Sequence, residues 1–157
     1  MTIQTIITLK KGKEFSIQRF HPWIFSGAIQ KTEGPSEDGC WVEVQDFKKN
    51  ILGYGHFQNG SISVRMLSFE KTEPSHNFWD HKIALALQLR EISGLPSSAT
   101  NSFRLIHGEG DGLPGLIVDF YDGIAVIQAH SVGMHVDRLA IAEGLKNVLG
   151  EKLRKEY

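Results

Sequence analysis

Cysteine is almost absent from this chain: Cys40 is the only one in 157 residues. A single thiol excludes an internal disulfide framework and fits a reducing compartment. Long apolar runs are missing too, and none approaches the roughly 20 residues that a membrane span requires. Met1-Thr2-Ile3-Gln4 lacks the basic segment followed by an apolar stretch that opens a secretory signal. The expectation is a cytoplasmic protein with no membrane partner. Charge of one sign is not in excess, because 17 Lys and Arg stand against 18 Asp and Glu. The net charge of −1 means that bulk basicity does not announce a nucleic-acid binder. Nucleophile motifs are also lacking: there is no G-x-S-x-G and no H-E-x-x-H. What remains is an ordinary globular composition, 41% hydrophobic and 22% charged, with nine Phe and three Trp available for a core.

The first half reads as strands. Ile3, Ile6, Ile7 and Leu9 lie among threonines, a combination of high β propensity. Trp41-Val42-Glu43-Val44 and Ile51-Leu52-Gly53-Tyr54 flank the polar connection Asp46–Asn50, as in a hairpin. Cys40 sits just before the first of these strands and reads as a buried structural thiol. Asn59-Gly60 is a turn signal. It leads into Ser61–Leu67, which alternates with period two as a half-buried strand does. Short strands separated by glycine turns point to a small β-barrel.

The pattern changes near Glu73-Pro74-Ser75. Ser75 is placed to cap a helix running to about Ser93, with Gly94 as its stop and Pro96 beyond. Phe78, Leu85, Leu89 and Ile92 share one face, and Trp79, Ile83 and Leu87 widen it into the stripe of a well-buried helix. A second helix is expected from about His135 to Leu149, with Val136, Leu139, Ala142, Leu145 and Leu149 at helical spacing and Gly150 as its stop. Residues 151–157 read as neither a tail nor a closing element.

Between the helices, Gly110-Asp111-Gly112-Leu113-Pro114-Gly115 satisfies G-x-G-x-x-G. That fingerprint binds a dinucleotide only when a strand precedes it and a helix follows, because the helix N-terminus holds the pyrophosphate. A strand is expected at Phe103–His107. However, Leu116–Phe120 is a β-branched apolar run, Asp122-Gly123 is a tight turn, and Ile124–Gln128 is a returning strand. The glycines therefore read as turn formers around a central β-hairpin. Glu109 with Asp111 and Asp119 with Asp122 are paired carboxylates, for which turn-forming Asp is the ordinary explanation. The histidine pairs His76/His81 and His130/His135 are spaced i, i+5 without an acidic or Cys partner at ligand spacing, so no metal site is expected.

Charge is segregated locally. Residues 1–31 carry Lys10, Lys11, Lys13, Arg19 and Lys31 against the single acid Glu14, whereas residues 32–46 carry five acids and no Lys or Arg. Cations beside Phe20, His21, Trp23 and Phe25 suit RNA, where phosphates meet Lys or Arg and unpaired bases stack on rings. The competing reading is a solvated basic edge with Trp23 and Phe25 in the core.

These motifs together resemble a known family. His21-Pro22-Trp23-Ile24-Phe25-Ser26-Gly27-Ala28-Ile29, preceded by Arg19, resembles the N-terminal signature of bacterial SAM-dependent methyltransferases that make 5-methylcytosine in large-subunit rRNA. Ser61–Leu67 is similar to the closing strand of that family's PUA domain, and Phe103–Asp119 to the hallmark of its central domain. The resemblance implies an α+β chain. A PUA-like, RNA-binding β-barrel over residues 1–73 would be followed by a mixed α/β domain over 74–157 with a central β-hairpin. It also implies a third, Rossmann-like methyltransferase domain, which this chain does not include. No SAM loop and no catalytic cysteine match the family, so the chain alone is expected to hold no catalytic or cofactor-binding residue. S-adenosylmethionine belongs to the full-length parent. The expected partner is large-subunit rRNA, with Lys10, Lys11, Lys13 and Arg19 on phosphates, His21 and Trp23 on bases or sugars, and Arg65 as an added cation. Of the two roles open to Trp23, the core is favoured over stacking. The alternative is a protein-interaction or homodimerisation module without RNA contact.

Overall fold

The computed structural model describes residues 3–157. Met1 and Thr2, half of the segment read for a targeting signal, lie outside the described residues. The chain folds as two compact units, one ending at Ser75 and the other spanning His76–Tyr157. The α+β class, a barrel-like β unit followed by a mixed unit with a central hairpin, is observed.

The first unit contains β1 (Thr5–Leu9), α1 (Glu14–Gln18), β2 (Trp23–Phe25), β3 (Ile29–Glu33), β4 (Trp41–Gln45), β5 (Ile51–Phe57) and β6 (Ile62–Ser68). The strands form one curled sheet in the order β2-β6-β5-β4-β1-β3. Strand β1 runs parallel to β4 and antiparallel to β3, so the N-terminal strand ties two parts of the chain together. Ile7, Leu9, Ile24, Val42, Val44 and Val64 fill the interior, with Ile17 of α1 closing it. The short elements α1, β2 and β3 were not legible in the sequence. Strand β6 is buried on both faces, with Ser63 and Leu67 covered as well as Val64 and Met66. The half-buried strand expected there is thereby corrected. Cys40 is half-buried rather than buried, and burial pushes its thiol pKa up.

The second unit contains α2 (Phe78–Ile92), β7 (Ser102–His107), β8 (Leu116–Tyr121), β9 (Ile124–Ala129), α3 (Val132–Val136), α4 (Arg138–Leu149) and β10 (Lys155–Glu156). Its sheet order is β10-β9-β8-β7. The β8–β9 hairpin turns on Asp122 and Gly123, both at positive φ (45° and 88°), as a two-residue hairpin demands.

Several expectations for this unit are corrected. The α2 face that is buried is Trp79, Ile83, Ala86 and Leu87, with Phe78 at its start. Leu85, Leu89 and Ile92 are exposed, at 45%, 50% and 76%. The helix is apolar on more than one side, and docking against α4 selects the side that is buried. Its N-cap is Asn77 without a side-chain bond, not Ser75. The second helix is in fact two. The Ser131 side chain accepts the Met134 amide to start α3, and Asp137 separates α3 from α4. Val136 and Leu139 face solvent, whereas Ile141, Gly144, Leu145 and Leu149 are buried. Finally, the C-terminal residues do close something: β10 pairs in parallel with β9 at the sheet edge.

Strands β5 and β6 approach closely at Gly53, whose φ is +144°. A Cβ there would fall inside contact distance of the Ser68 carbonyl oxygen, a backbone atom that cannot step aside. Gly53→Ala is expected to cost about 3 kcal/mol from overpacking and backbone strain together. Thermal or urea denaturation measures it, and an unchanged midpoint contradicts the close approach.

Candidate nucleic-acid interface

The site begins where β1 ends. Residues Lys10–Lys13 form a tight turn, in which the Lys13 amide donates to the Lys10 carbonyl (3.0 Å). Helix α1 then runs for five residues and stops at Arg19. The chain reverses at Phe20, and the His21 amide donates back to Ser16 (3.0 Å). This brings α1 alongside β2. In β2 only Ile24 points inward, at 1% exposure; Trp23 is half-buried and Phe25 is 50% exposed. Successive side chains on a strand point to opposite sheet faces, so burying Ile24 turns both aromatics outward.

The result is a cleft of about 440 Å³ lined by Gly12, Lys13, Ser16, Trp23, Ile24, Phe25, Gly27 and Ala28. The His21 and Trp23 rings meet edge to face at 6.0 Å, and those of Trp23 and Phe25 at 6.5 Å. His21 Nδ1 lies 3.2 Å from both the amide nitrogen and the carbonyl oxygen of Trp23, which ties the ring to β2. Arg65 stands directly opposite Trp23 in the β2–β6 register. Its Nη1 donates to Gln58 (3.4 Å) and to the Ile62 carbonyl (3.5 Å).

The predicted cations are largely uncompensated. Among the described residues, Lys10, Lys11, Lys13 and Arg19 form no salt bridge. Lys10 Nζ does donate to the Gly27 carbonyl (2.8 Å), which ties the turn to the cleft wall. Several acids of residues 32–46 are committed elsewhere, while Glu14, beside Lys13, is buried at the start of α1. Glu33 pairs with Lys31 (2.8 Å) and Lys49 (3.1 Å), and these lysines hold its carboxyl below the usual range. The Asp46 carboxylate accepts from Asn50 and from the Lys48 and Asn50 amides, which lowers its pKa. Asp38 accepts from the Asn59 amide (2.7 Å).

The structure thus brings Lys13 and Trp23 to one cleft, with Lys10 tied to its Gly27 wall, His21 against Trp23 and Arg65 opposite Trp23, whereas Lys11 reaches Phe47 and Arg19 ends α1. Trp23, expected in the core, is half-buried with its ring against His21 and Phe25. The competing reading placed Phe25 in the core, and sequence reasoning passed over Phe15, which is 59% exposed, while Phe20, counted beside the cations, is 71% exposed. The signal that would have found Phe25 is the Trp-Ile-Phe alternation itself.

The other candidate sites resolve into structure. After β7, a 3-10 turn over Gly108–Asp111 leads through Gly112 directly to β8. The Gly112 and Leu113 amides donate to Glu109 and Gly108, so they are not open for phosphate. Asp111 accepts both guanidinium nitrogens of Arg90 (2.8 and 2.6 Å) and the His107 amide (2.6 Å). This loop does not fit a dinucleotide or S-adenosylmethionine. Asp119 is held by Arg104 at 2.9 and 3.1 Å, and Asp122 by Arg154 at 2.8 Å. Asp111, Asp119 and Asp122 are thus each held in an ion pair. Among the described residues, no three His, Cys, Asp or Glu side chains come together to hold a metal, and no helix is long and apolar enough to cross a membrane.

Residues 7–69 match a family profile described as the PUA-like domain. That stretch is a PUA-like domain. The chain is 37% identical over 140 residues to ribosomal RNA large subunit methyltransferase I of Alteromonas mediterranea, covering 87% of this chain and 35% of the relative. The enzyme of the same name from Salmonella arizonae is 34% identical over 142 residues, covering 89% and 35%. That from Erwinia tasmaniensis is 35% identical over 148 residues, covering 93% and 37%. The chain thus spans about a third of the length of the curated relatives it matches. A solved structure from Streptococcus mutans, assigned as a SAM-dependent methyltransferase, superposes with a TM-score of 0.78. The superposition covers 99% of this chain and 40% of that one, at 17% identity, so it shows a shared fold.

The side chains of Arg90 and Asp111 are 17% and 3% exposed. Removing one partner of such a pair strands a buried charge. Asp111→Ala is therefore expected to cost about 3 kcal/mol, and an Arg90→Met, Asp111→Leu double variant to recover much of it. Chemical denaturation of the set decides this. If the double variant is no more stable than Asp111→Ala, the pair is not the source of the loss.

Proposed function

We propose that this chain is the RNA-gripping and positioning portion of a SAM-dependent methyltransferase that acts on large-subunit rRNA. The observation that carries the reading is one cleft in a PUA-like domain where Lys13, without a salt bridge among the described residues, stands beside outward-facing aromatic rings. Lys11, Lys13 and Arg19 neutralise phosphates and set register. Phe25 and Trp23 offer ring surfaces on which an unpaired base stacks. Arg65, across the strand from Trp23, adds a cation on the same sheet face. Lys10 acts mainly through its bond to Gly27, holding the turn against the cleft.

The names of the homologous enzymes support large-subunit rRNA as the partner and methyl transfer as the activity of the whole protein. The family's product, 5-methylcytosine, is the finer part of the proposal. It rests on the resemblance of residues 19–29, 61–67 and 103–119. The reacting centre and its S-adenosylmethionine belong to a further domain, and no side chain of this chain is assigned a chemical step. The unit spanning His76–Tyr157 is architectural in this reading, its loop set by the Arg90–Asp111 pair. The compartment follows from the substrate: an enzyme working on rRNA acts in the cytoplasm.

The RNA reading is tested on the 157-residue chain by gel-shift titration with a structured RNA at several salt concentrations. Lys11→Glu with Lys13→Glu should weaken binding regardless of sequence and flatten the log–log salt slope by roughly 0.7–0.9 per lost contact. The melting temperature should stay nearly unchanged. Phe25→Ala should cost roughly 1–3 kcal/mol of affinity with the fold intact. Equal affinities for wild type and the charge-reversed variant defeat the assignment of this face.

A second reading, a protein-interaction or homodimerisation module, is favoured by the exposed stripe Leu85, Leu89 and Ile92 along α2. Light scattering across a range of concentrations separates the two. A dimer abolished by Leu89→Lys supports the module, and a monomer throughout removes its homodimer form.

A further inference from the structure

The tip of the β4–β5 hairpin carries three residues that the cleft does not use. Phe47 is half-buried, and Lys48 and Lys49 are exposed. Lys49 is neutralised by Glu33 (3.1 Å). Lys48 is not: it forms no salt bridge among the described residues, and its ammonium lies 5.5 Å from the centre of the Phe47 ring. Lys11 also places its ammonium 5.9 Å from the centre of the same ring. One phenylalanine thus gathers two lysines from segments far apart in sequence. Each is held by the negative face of the ring, an attraction that does not cancel its charge.

The hairpin tip is rigid for a local reason. Both Asp46 carboxylate oxygens are occupied, Oδ1 by the Lys48 and Asn50 amides (2.7 and 2.9 Å) and Oδ2 by the Asn50 side chain (2.8 Å). The Lys49 amide donates to the Asp46 carbonyl (3.0 Å). The nearest acid therefore spends its bonds folding the loop rather than pairing with Lys48. The Lys10–Lys13 turn also lies between this ring and the aromatic cleft, because Gly12 and Lys13 line the cleft while Lys11 reaches Phe47.

We infer that Lys11, Phe47 and Lys48 form a second phosphate-binding platform, which extends the RNA track from the Trp23–Phe25 cleft onto the β4–β5 hairpin. The inference rests on the RNA-binding reading above and adds a site to it. The matched partner is a sugar–phosphate backbone: two ammonium groups held on one ring, with no acid paired to either, suit a run of phosphates. Phe47 is a positioning residue. It orders both lysines before binding and so lowers the entropy lost when the contacts form.

The test is fluorescence anisotropy with a short labelled RNA stem-loop and the 157-residue chain, read across a salt series. Lys48→Gln should weaken binding several-fold and flatten the salt slope by about 0.7–0.9 unit. Phe47→Leu should weaken binding, while Phe47→Tyr, which restores an aromatic face, should return it to wild type. Lys31→Gln, whose cation is already paired with Glu33, should leave the slope unchanged. Lys48 is exposed, so its variant keeps the fold and the result stands even if Phe47→Leu is unstable. If wild type binds and the Lys11, Lys13 reversal weakens it, but Lys48→Gln matches wild type, the platform is wrong and the cleft stands. Equal flattening by Lys31→Gln reduces the effect to overall charge and overturns the platform. If wild type does not bind the stem-loop, both proposals fall. Lys48-dependent binding of poly-glutamate in place of RNA assigns the platform to an acidic protein and overturns it as an RNA site.

Discussion

The burial of Ile24 is the constraint on which the candidate surface depends. Ile24 pairs with Val64 across the β2–β6 ladder, and both point into the core of the curled sheet. Because side chains alternate along a strand, this one commitment sends Trp23 and Phe25 to the outer face together and sets Arg65 beside Trp23. A slip of one residue would bury the aromatics and expose Ile24, losing about 1.5–3 kcal/mol for the isoleucine alone. The register is held at β2's entrance as well, where the Met66 amide donates to the Pro22 carbonyl (2.7 Å). Helix α1 is short, yet Ile17 anchors it in the same core, and the turn carrying Lys10–Lys13 is held beside β2 as a consequence.

The second unit is organised by a different kind of interaction. Asp111 lies in a glycine-rich loop that by composition alone matches a nucleotide fingerprint. Its carboxylate is nevertheless filled by Arg90 of α2 and by the His107 amide at the end of β7. The loop is thus pinned between a helix and a strand, and its amides close its own turn. The Gly112 and Leu113 amides are already taken by the turn itself. The same glycines that suggest a phosphate cradle allow a tight path from β7 to β8.

Much of this was legible beforehand. The strands β4 to β9 follow from alternation, β-branched runs and turn dipeptides, because strand pairing and turn geometry leave local traces. The hairpin at Asp122-Gly123 is the clearest case. Short elements were not legible: α1 has five residues and β2 three, too few for a period to show, and both exist because tertiary pairing supplies what local propensity does not. Helix α2 was recognised, but its buried face was not. Leu85, Leu89 and Ile92 are as apolar as Ile83 and Leu87, and only the close approach of Gly144 on α4 to Ile83 and Trp79 selects between them. The strand at Lys155–Glu156 likewise depends on a partner distant in sequence, β9.

By itself, the sequence determined the class of fold, the central hairpin, the clustering of Lys10, Lys11, Lys13 and Arg19, and the placement of aromatics among them. Each of these is a statement about neighbours along the chain, where spacing and residue type suffice. Tertiary structure alone decided which of those aromatics face outward, and that Glu33 is taken by Lys31 and Lys49 and Asp46 by its own hairpin. It also decided that Lys48 comes to share a ring with Lys11. Such facts depend on which surfaces are buried and which charges end up adjacent. Burial and charge pairing are settled only when segments remote in sequence compete for the same core and the same partners.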